Sequence, residues 1–134
     1  MARTTLQHFR NETDVGMDDV LLNASNNSNT LSCRGMNQMT IVVNQHARAS
    51  STALTFNVEG SIDEGTTWAK VQTSAISSGT QTLSDATYSK ALAATGVFSV
   101  NLSINFTHVR IRALTGASAA SGDKADVTVL FGSL

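Results

Sequence analysis

Between Leu54 and Glu59 apolar and polar residues alternate without a break: Leu54, Phe56 and Val58 against Thr55, Asn57 and Glu59. The pattern returns at Phe98, Val100, Leu102 and Ile104. It returns again at Val109, Ile111 and Ala113, set between His108, Arg110 and Arg112, and once more at Ala125, Val127, Val129 and Phe131. A period of two turns every second side chain to one face of a strand, so each run describes a strand with one buried face. A helix buries residues at a period of 3.6, and these runs do not fit it. Composition agrees. Lys and Glu, which fill exposed helix faces, occur three times each, whereas Thr, Ser and Asn supply 17, 16 and 10 residues. Those types suit strands and turns. A chain of 134 residues is one ordinary domain, large enough to bury a core.

The rest of the chain reads as follows. Residues 1–14 are polar and aperiodic, with Leu6 and Phe9 as the only large apolar side chains beyond Met1, and are expected to form an extended arm. A first strand is expected over Val15 to Leu22, then a loop at Asn23 to Thr30. The continuous apolar run Met39 to Val43 suits a strand covered on both faces. His46 to Thr52 reads as a loop. Gly60 to Gly65 reads as the turn of a hairpin whose second strand is Thr67 to Gln72. Ser77 to Thr80 is a further turn. Gln81 to Leu92 fits either a short strand or one irregular helical turn, and Thr115 to Asp123 is a small-residue loop. The expected fold is therefore all-β: a single antiparallel β-sandwich, jelly-roll-like, of about seven to nine strands over residues 15–134. Phe56, Val58, Val100, Leu102, Val109, Ile111, Val127 and Val129 are expected inside it.

Several classes of function are not expected. The formal net charge of −1 gives no electrostatic reason to bind nucleic acid. No apolar run approaches the ~20 residues of a membrane helix. Met1 to Arg10 lacks the apolar stretch of a secretory signal, and the lone Cys33 has no internal disulfide partner, which fits assembly in a reducing cytosol. His8, His46 and His108 lie far apart in sequence, with no metal-ligand spacing among them. The carboxylates of the Asp63–Gly65 turn are adjacent, without the ligand series of a calcium loop, so Asp63 is expected to bond its own backbone. No catalytic motif is present, and no catalytic residue, cofactor or metal is expected.

The candidate functional residues are those of contact surfaces. Arg110 and Arg112 share one strand face. They are expected either to be solvated or to pair across a subunit contact with an acidic group, Asp63 or Glu64 of the next chain. Leu6 and Phe9 are expected to anchor the arm on a neighbouring chain. Trp68, the only tryptophan, either caps one end of the core or lies across the outer face, where it could carry a sugar. A neutral sandwich with no proline and three lysines leaves its edge strands unprotected, which points to a homo-oligomer.

The segment Phe56-x-Val58-x-Gly60-Ser61-x-Asp63-x-Gly65-Thr66-Thr67-Trp68 resembles a strand-turn-strand pattern of small β-sandwich proteins in tailed-phage virions. Val109-Arg110-Ile111-Arg112, the small-residue loop after it and Ala125-Asp126-Val127-Thr128-Val129 resemble the closing hairpin of the same proteins. The likeness covers residues 54–72 and 109–131, about half the chain. It implies a capsid cement or decoration protein: made in the host cytoplasm, placed on the outer capsid surface of the virion, commonly trimeric, and clamping neighbouring subunits of the major capsid protein. A tail, neck or fibre component of the virion is one alternative. A carbohydrate-binding sandwich module using Trp68 is another. Neither nucleic acid nor membrane is an expected partner.

Overall fold

The computed structural model describes residues 15–133. The described residues form strands β1 (Val15–Leu21), β2 (Leu31–Ser32), β3 (Gln38–Ala47), β4 (Ala53–Ser61), β5 (Ala69–Lys70), β6 (Gln72–Ser77), β7 (Thr80–Asp85), β8 (Tyr88–Ala91), β9 (Gly96–Ser103), β10 (His108–Ala117) and β11 (Lys124–Gly132). One sheet has the order β1-β11-β3-β9. The other has the order β2-β10-β4, with β5 and β8 sharing the far edge of β4, and β6 and β7 pair only with each other. With β5 and β8 taken as one strand and β6–β7 set aside, every connection except the one leaving β4 switches sheets. The resulting strand orders are those of two interlocked Greek keys, a jelly roll.

The alternation read from the sequence is what closes this sandwich. Met39, Ile41 and Val43 of β3, Leu54, Phe56 and Val58 of β4, Val109 and Ile111 of β10, and Ala125, Val127, Val129 and Phe131 of β11 are all buried in one cluster. Each fully buried Val, Leu, Ile or Phe side chain contributes about 1.5–3 kcal/mol. At one end of the sandwich the buried Asp123 joins the loop after β3 to the loop before β11. Its carboxylate accepts from the backbone N–H groups of Ala49 (2.7 Å), Ser50 (3.0 Å), Ser51 (3.2 Å) and Ala120 (2.8 Å). At Gly60 space is the constraint. A Cβ added there would lie 2.5 Å from three ring carbons of Phe106, which packs against the core.

Several expectations are corrected. The Met39–Val43 run is not covered on both faces: Thr40 and Val42 turn outward in strict alternation with the buried positions. Val100 and Leu102 are half-buried, because β9 is the edge of its sheet. The alternation fails at Ala113, where φ is 57° and the register with β4 shifts between Arg112 and Thr115. Past this bulge Leu114 takes the buried place, and β10 runs on to Ala117, into what reads as loop. The second strand after the Gly60–Gly65 turn shrinks to Ala69–Lys70. Gln81 to Leu92 holds strands β7 and β8 and no helical turn.

Candidate interaction surface

The pairing along β4 reveals an insertion. Lys70 pairs with Glu59 and Tyr88 with Phe56, so three steps along β4 answer to eighteen along the chain, fifteen more than a continuous strand needs. β5 and β8 are thus two halves of one strand, interrupted by residues 72–86. The two stems are neighbours: Ala86 N–H donates to the Val71 carbonyl (2.9 Å from Val71 N to Val58 O on the sheet side, 2.8 Å between the stems). Asn57 Nδ2 of β4 holds the return by donating to the Ala86 carbonyl (3.0 Å).

The inserted segment is the β6–β7 hairpin, paired from Gln72↔Asp85 to Ser77↔Thr80. All twelve of its strand residues are exposed. Its tip, Ser78 and Gly79, has positive φ at both residues, 50° and 78°, the geometry of a tight hairpin turn. The register puts Ser74 opposite Leu83 and Ile76 opposite Gln81, so Ile76 and Leu83 are diagonal neighbours on one face. They are 75% and 63% exposed. Asp85, beside Lys70 at the base (3.4 Å), is the only charged residue of the two strands.

The sequence-predicted residues fall elsewhere. Leu6 and Phe9 lie outside the described residues. Arg110 and Arg112 do share the outer face of β10, but the acidic group they meet is Glu59 of the adjacent β4, at 2.6 and 3.8 Å. The Arg110 guanidinium also covers one face of Trp68, 4.0 Å from the ring centroid, and Trp68 donates its indole N–H to the Gly65 carbonyl (3.1 Å). The tryptophan therefore lies across the outer face, with one ring face already occupied. Glu64 pairs with Arg34. Asp63 accepts from the Thr67 backbone N–H (2.8 Å) and the Ser61 hydroxyl (2.7 Å), and these bonds hold its carboxyl down at about 2. Within that hydrogen-bonded turn Ile62 is 78% exposed.

Two further features lie at the two edges of the sandwich. An open groove of about 220 Å³ separates the edge strands β8 and β9, with Phe56, Tyr88, Phe98 and Val100 among its walls. Phe56 and Tyr88 stack within it, ring centroids 5.3 Å apart. Across the opposite sheet edge His46 Nε2 stands 3.1 Å from Asp19 and 3.6 Å from Asp126, tying β1 to β3 over β11. Among the described residues no group of three or more His, Cys, Asp or Glu is arranged to hold a metal ion.

Sequence reasoning found the turn at Ser77–Thr80 but missed that its arms leave the sheet. Ile76 and Leu83 are isolated apolar residues in a Ser/Thr/Gln run, and beyond the Ser77–Thr80 turn nothing in that run marks a separate hairpin. No protein-family model and no curated protein matches the chain.

Proposed function

We propose that this chain is a structural virion protein of the tailed-phage type, a capsid cement or decoration protein that stabilises the shell by docking on the major capsid protein. The observation that carries the reading is the fifteen-residue insertion in a strand of the jelly roll, whose twelve strand residues all face solvent. A two-stranded hairpin is marginal alone in water, and this one adds nothing to the core of its own domain. Its arms, uncharged beyond Asp85 at the base, and the Ile76–Leu83 pair suit burial against another protein, with little desolvation of charge and little side-chain entropy lost from Ser and Thr. Binding only the assembled shell shifts the assembly equilibrium toward it by mass action. The phage assignment rests on the resemblance of residues 54–72 and 109–131, and the docking role on the hairpin.

The test is a variant lacking residues 72–86. Removing those fifteen residues joins Val71 to Thr87 and restores one continuous strand along β4. The variant should fold, by circular dichroism and thermal melting, yet fail to cosediment with expanded capsid shells lacking the protein. A folded variant that binds shells as well as the intact chain refutes the docking role of the hairpin.

A further inference from the structure

The edge of a β-sheet is a row of backbone N–H and C=O groups ready to pair with any strand offered to it, and proteins blunt such edges with bulges, charges, proline or short length. Most edges of this jelly roll are blunted. β1 shifts register twice, places Asp19 at φ 49° and carries Asp18 and Asp19. β2 is two residues long. β5 and β8 are two and four residues long, carry Lys70 and Lys90, and are split by the hairpin.

β9 has none of these devices. It runs eight residues, Gly96–Ser103, and pairs with β3 at all eight positions without a shift in register. It contains no charged residue and no proline. Among the described residues no strand pairs with its other edge. Its inward row, Phe98, Val100 and Leu102, is only half-buried, and Phe98 and Val100 open onto the groove beside β8. On the outer face Val97 is 65% exposed.

We propose that β9 is a self-association edge: β9 of a second copy of this chain pairs with it antiparallel, about a two-fold axis at Val100. The side-chain chemistry of β9 is symmetric about that residue. With Val100 opposite itself, Phe98 of each copy stands opposite Leu102 of the other, so one apolar row covers its equal. On the outer face Ser99 stands opposite Asn101, and Val97 opposite Ser103. Within the strand Gly96–Ser103, any other antiparallel register that keeps side chains on the same face leaves part of the apolar row without an apolar counterpart. β9 itself carries no charge to oppose the approach, and the facing wall of the groove brings a single cation, Lys90 of β8. About four residues of each strand turn their N–H and C=O groups outward, and these supply the new ladder. The product is a closed two-fold dimer with a continuous sheet of twice four strands, in place of the three-fold arrangement that the family resemblance implies. This pairing does not depend on what the β6–β7 hairpin docks on.

The test is the mass of the intact chain by light scattering and sedimentation, with two charge variants. Ser99→Lys with Asn101→Lys puts like charges opposite each other twice in the proposed register, at exposed positions. The unsubstituted chain should be a dimer. The Lys variant should keep the same circular dichroism and weaken the dimer roughly tenfold or more. The Glu counterpart, Ser99→Glu with Asn101→Glu, should do the same, and an equimolar mixture of the two should pair again. The single variants Ser99→Lys and Ser99→Glu, whose charges meet diagonally across the axis, serve if a double variant does not fold. A monomeric or trimeric unsubstituted chain, a Lys variant that stays dimeric, or a mixture that stays monomeric overturns the proposal.

Discussion

Gly60→Ala should destabilise the domain by about 1–2 kcal/mol, and Phe106 should be the reason. In β4 Gly60 is held on both sides, by Val109 of β10 and Ala69 of β5, so its backbone has no room to retreat. Its φ is not positive, so the restriction is space rather than conformation. The new methyl would stand 2.5 Å from Cδ2, Cε2 and Cζ of Phe106. Carbon–carbon contact settles near 3.5–4.0 Å, so the ring must move by about 1 Å. The next residue resists that: Thr107 donates its N–H to the Ser61 carbonyl (2.8 Å) and its hydroxyl to the same oxygen (3.1 Å). Overpacking of this kind costs about 1–3 kcal/mol, and the gain of Ala over Gly in a strand offsets about 0.5–1 of it. Urea unfolding followed by the fluorescence of Trp68, the only tryptophan, measures the loss. The decisive comparison is the double-mutant cycle. In a Phe106→Ala background the ring is gone, and Gly60→Ala should become neutral or stabilising by about 0.5–1 kcal/mol. Equal losses in both backgrounds would show that the ring contact is not what excludes a side chain at Gly60.

Ile111→Ala, at a buried site in the centre of β10, should cost about 2–5 kcal/mol in the same assay; a loss near zero would place it outside the core. Arg110→Ala uncovers one face of Trp68 and leaves Glu59 with only the longer contact to Arg112, so it should shift the tryptophan emission and cost about 1 kcal/mol. An unchanged emission spectrum would contradict that stacking. Asp63 is held at about 2 by the Thr67 N–H and the Ser61 hydroxyl. For Asp123 burial pulls the carboxyl upward, but the N–H groups of Ala120, Ser50, Ala49 and Ser51 outweigh it and hold it well below the usual range. A carboxyl depressed in the folded state stabilises fully above its unfolded value and loses that contribution as pH falls through its folded one. Tm should therefore be level down to pH ~4 and fall steeply below it, less steeply in Asp123→Asn. A curve level to pH ~2 would exclude both carboxyls as acid-labile supports.

What was legible in the sequence follows from which faces are buried. β4, β10 and β11 have one buried face and one wet one, and their alternation is plain in Leu54–Glu59, Val109–Ile111 and Ala125–Phe131. Ala113 was misplaced because a bulge inserts one residue and breaks the count by two; nothing in the composition of Arg112-Ala113-Leu114 marks it. Val42 misled for the opposite reason, being an apolar residue on the outer face. The β6–β7 hairpin left no period at all, since both of its faces meet solvent and neither selects for apolar residues. The Arg110–Arg112 stripe was legible as a stripe, but the sequence could not supply its partner, because Glu59 becomes its neighbour only through the register of β4 with β10.

The hairpin leaves and rejoins the sheet at two residues that are hydrogen-bonded to each other, Val71 and Ala86. Segment length between them is therefore invisible to the rest of the fold: β8 resumes in phase whether the excursion is long, short or missing. The site behaves as a graft point. A foreign loop whose ends meet across one such hydrogen bond could replace residues 72–85 and present a new binding sequence, while the sandwich retains its own stability. In this architecture the choice of partner and the stability of the scaffold can be varied one at a time.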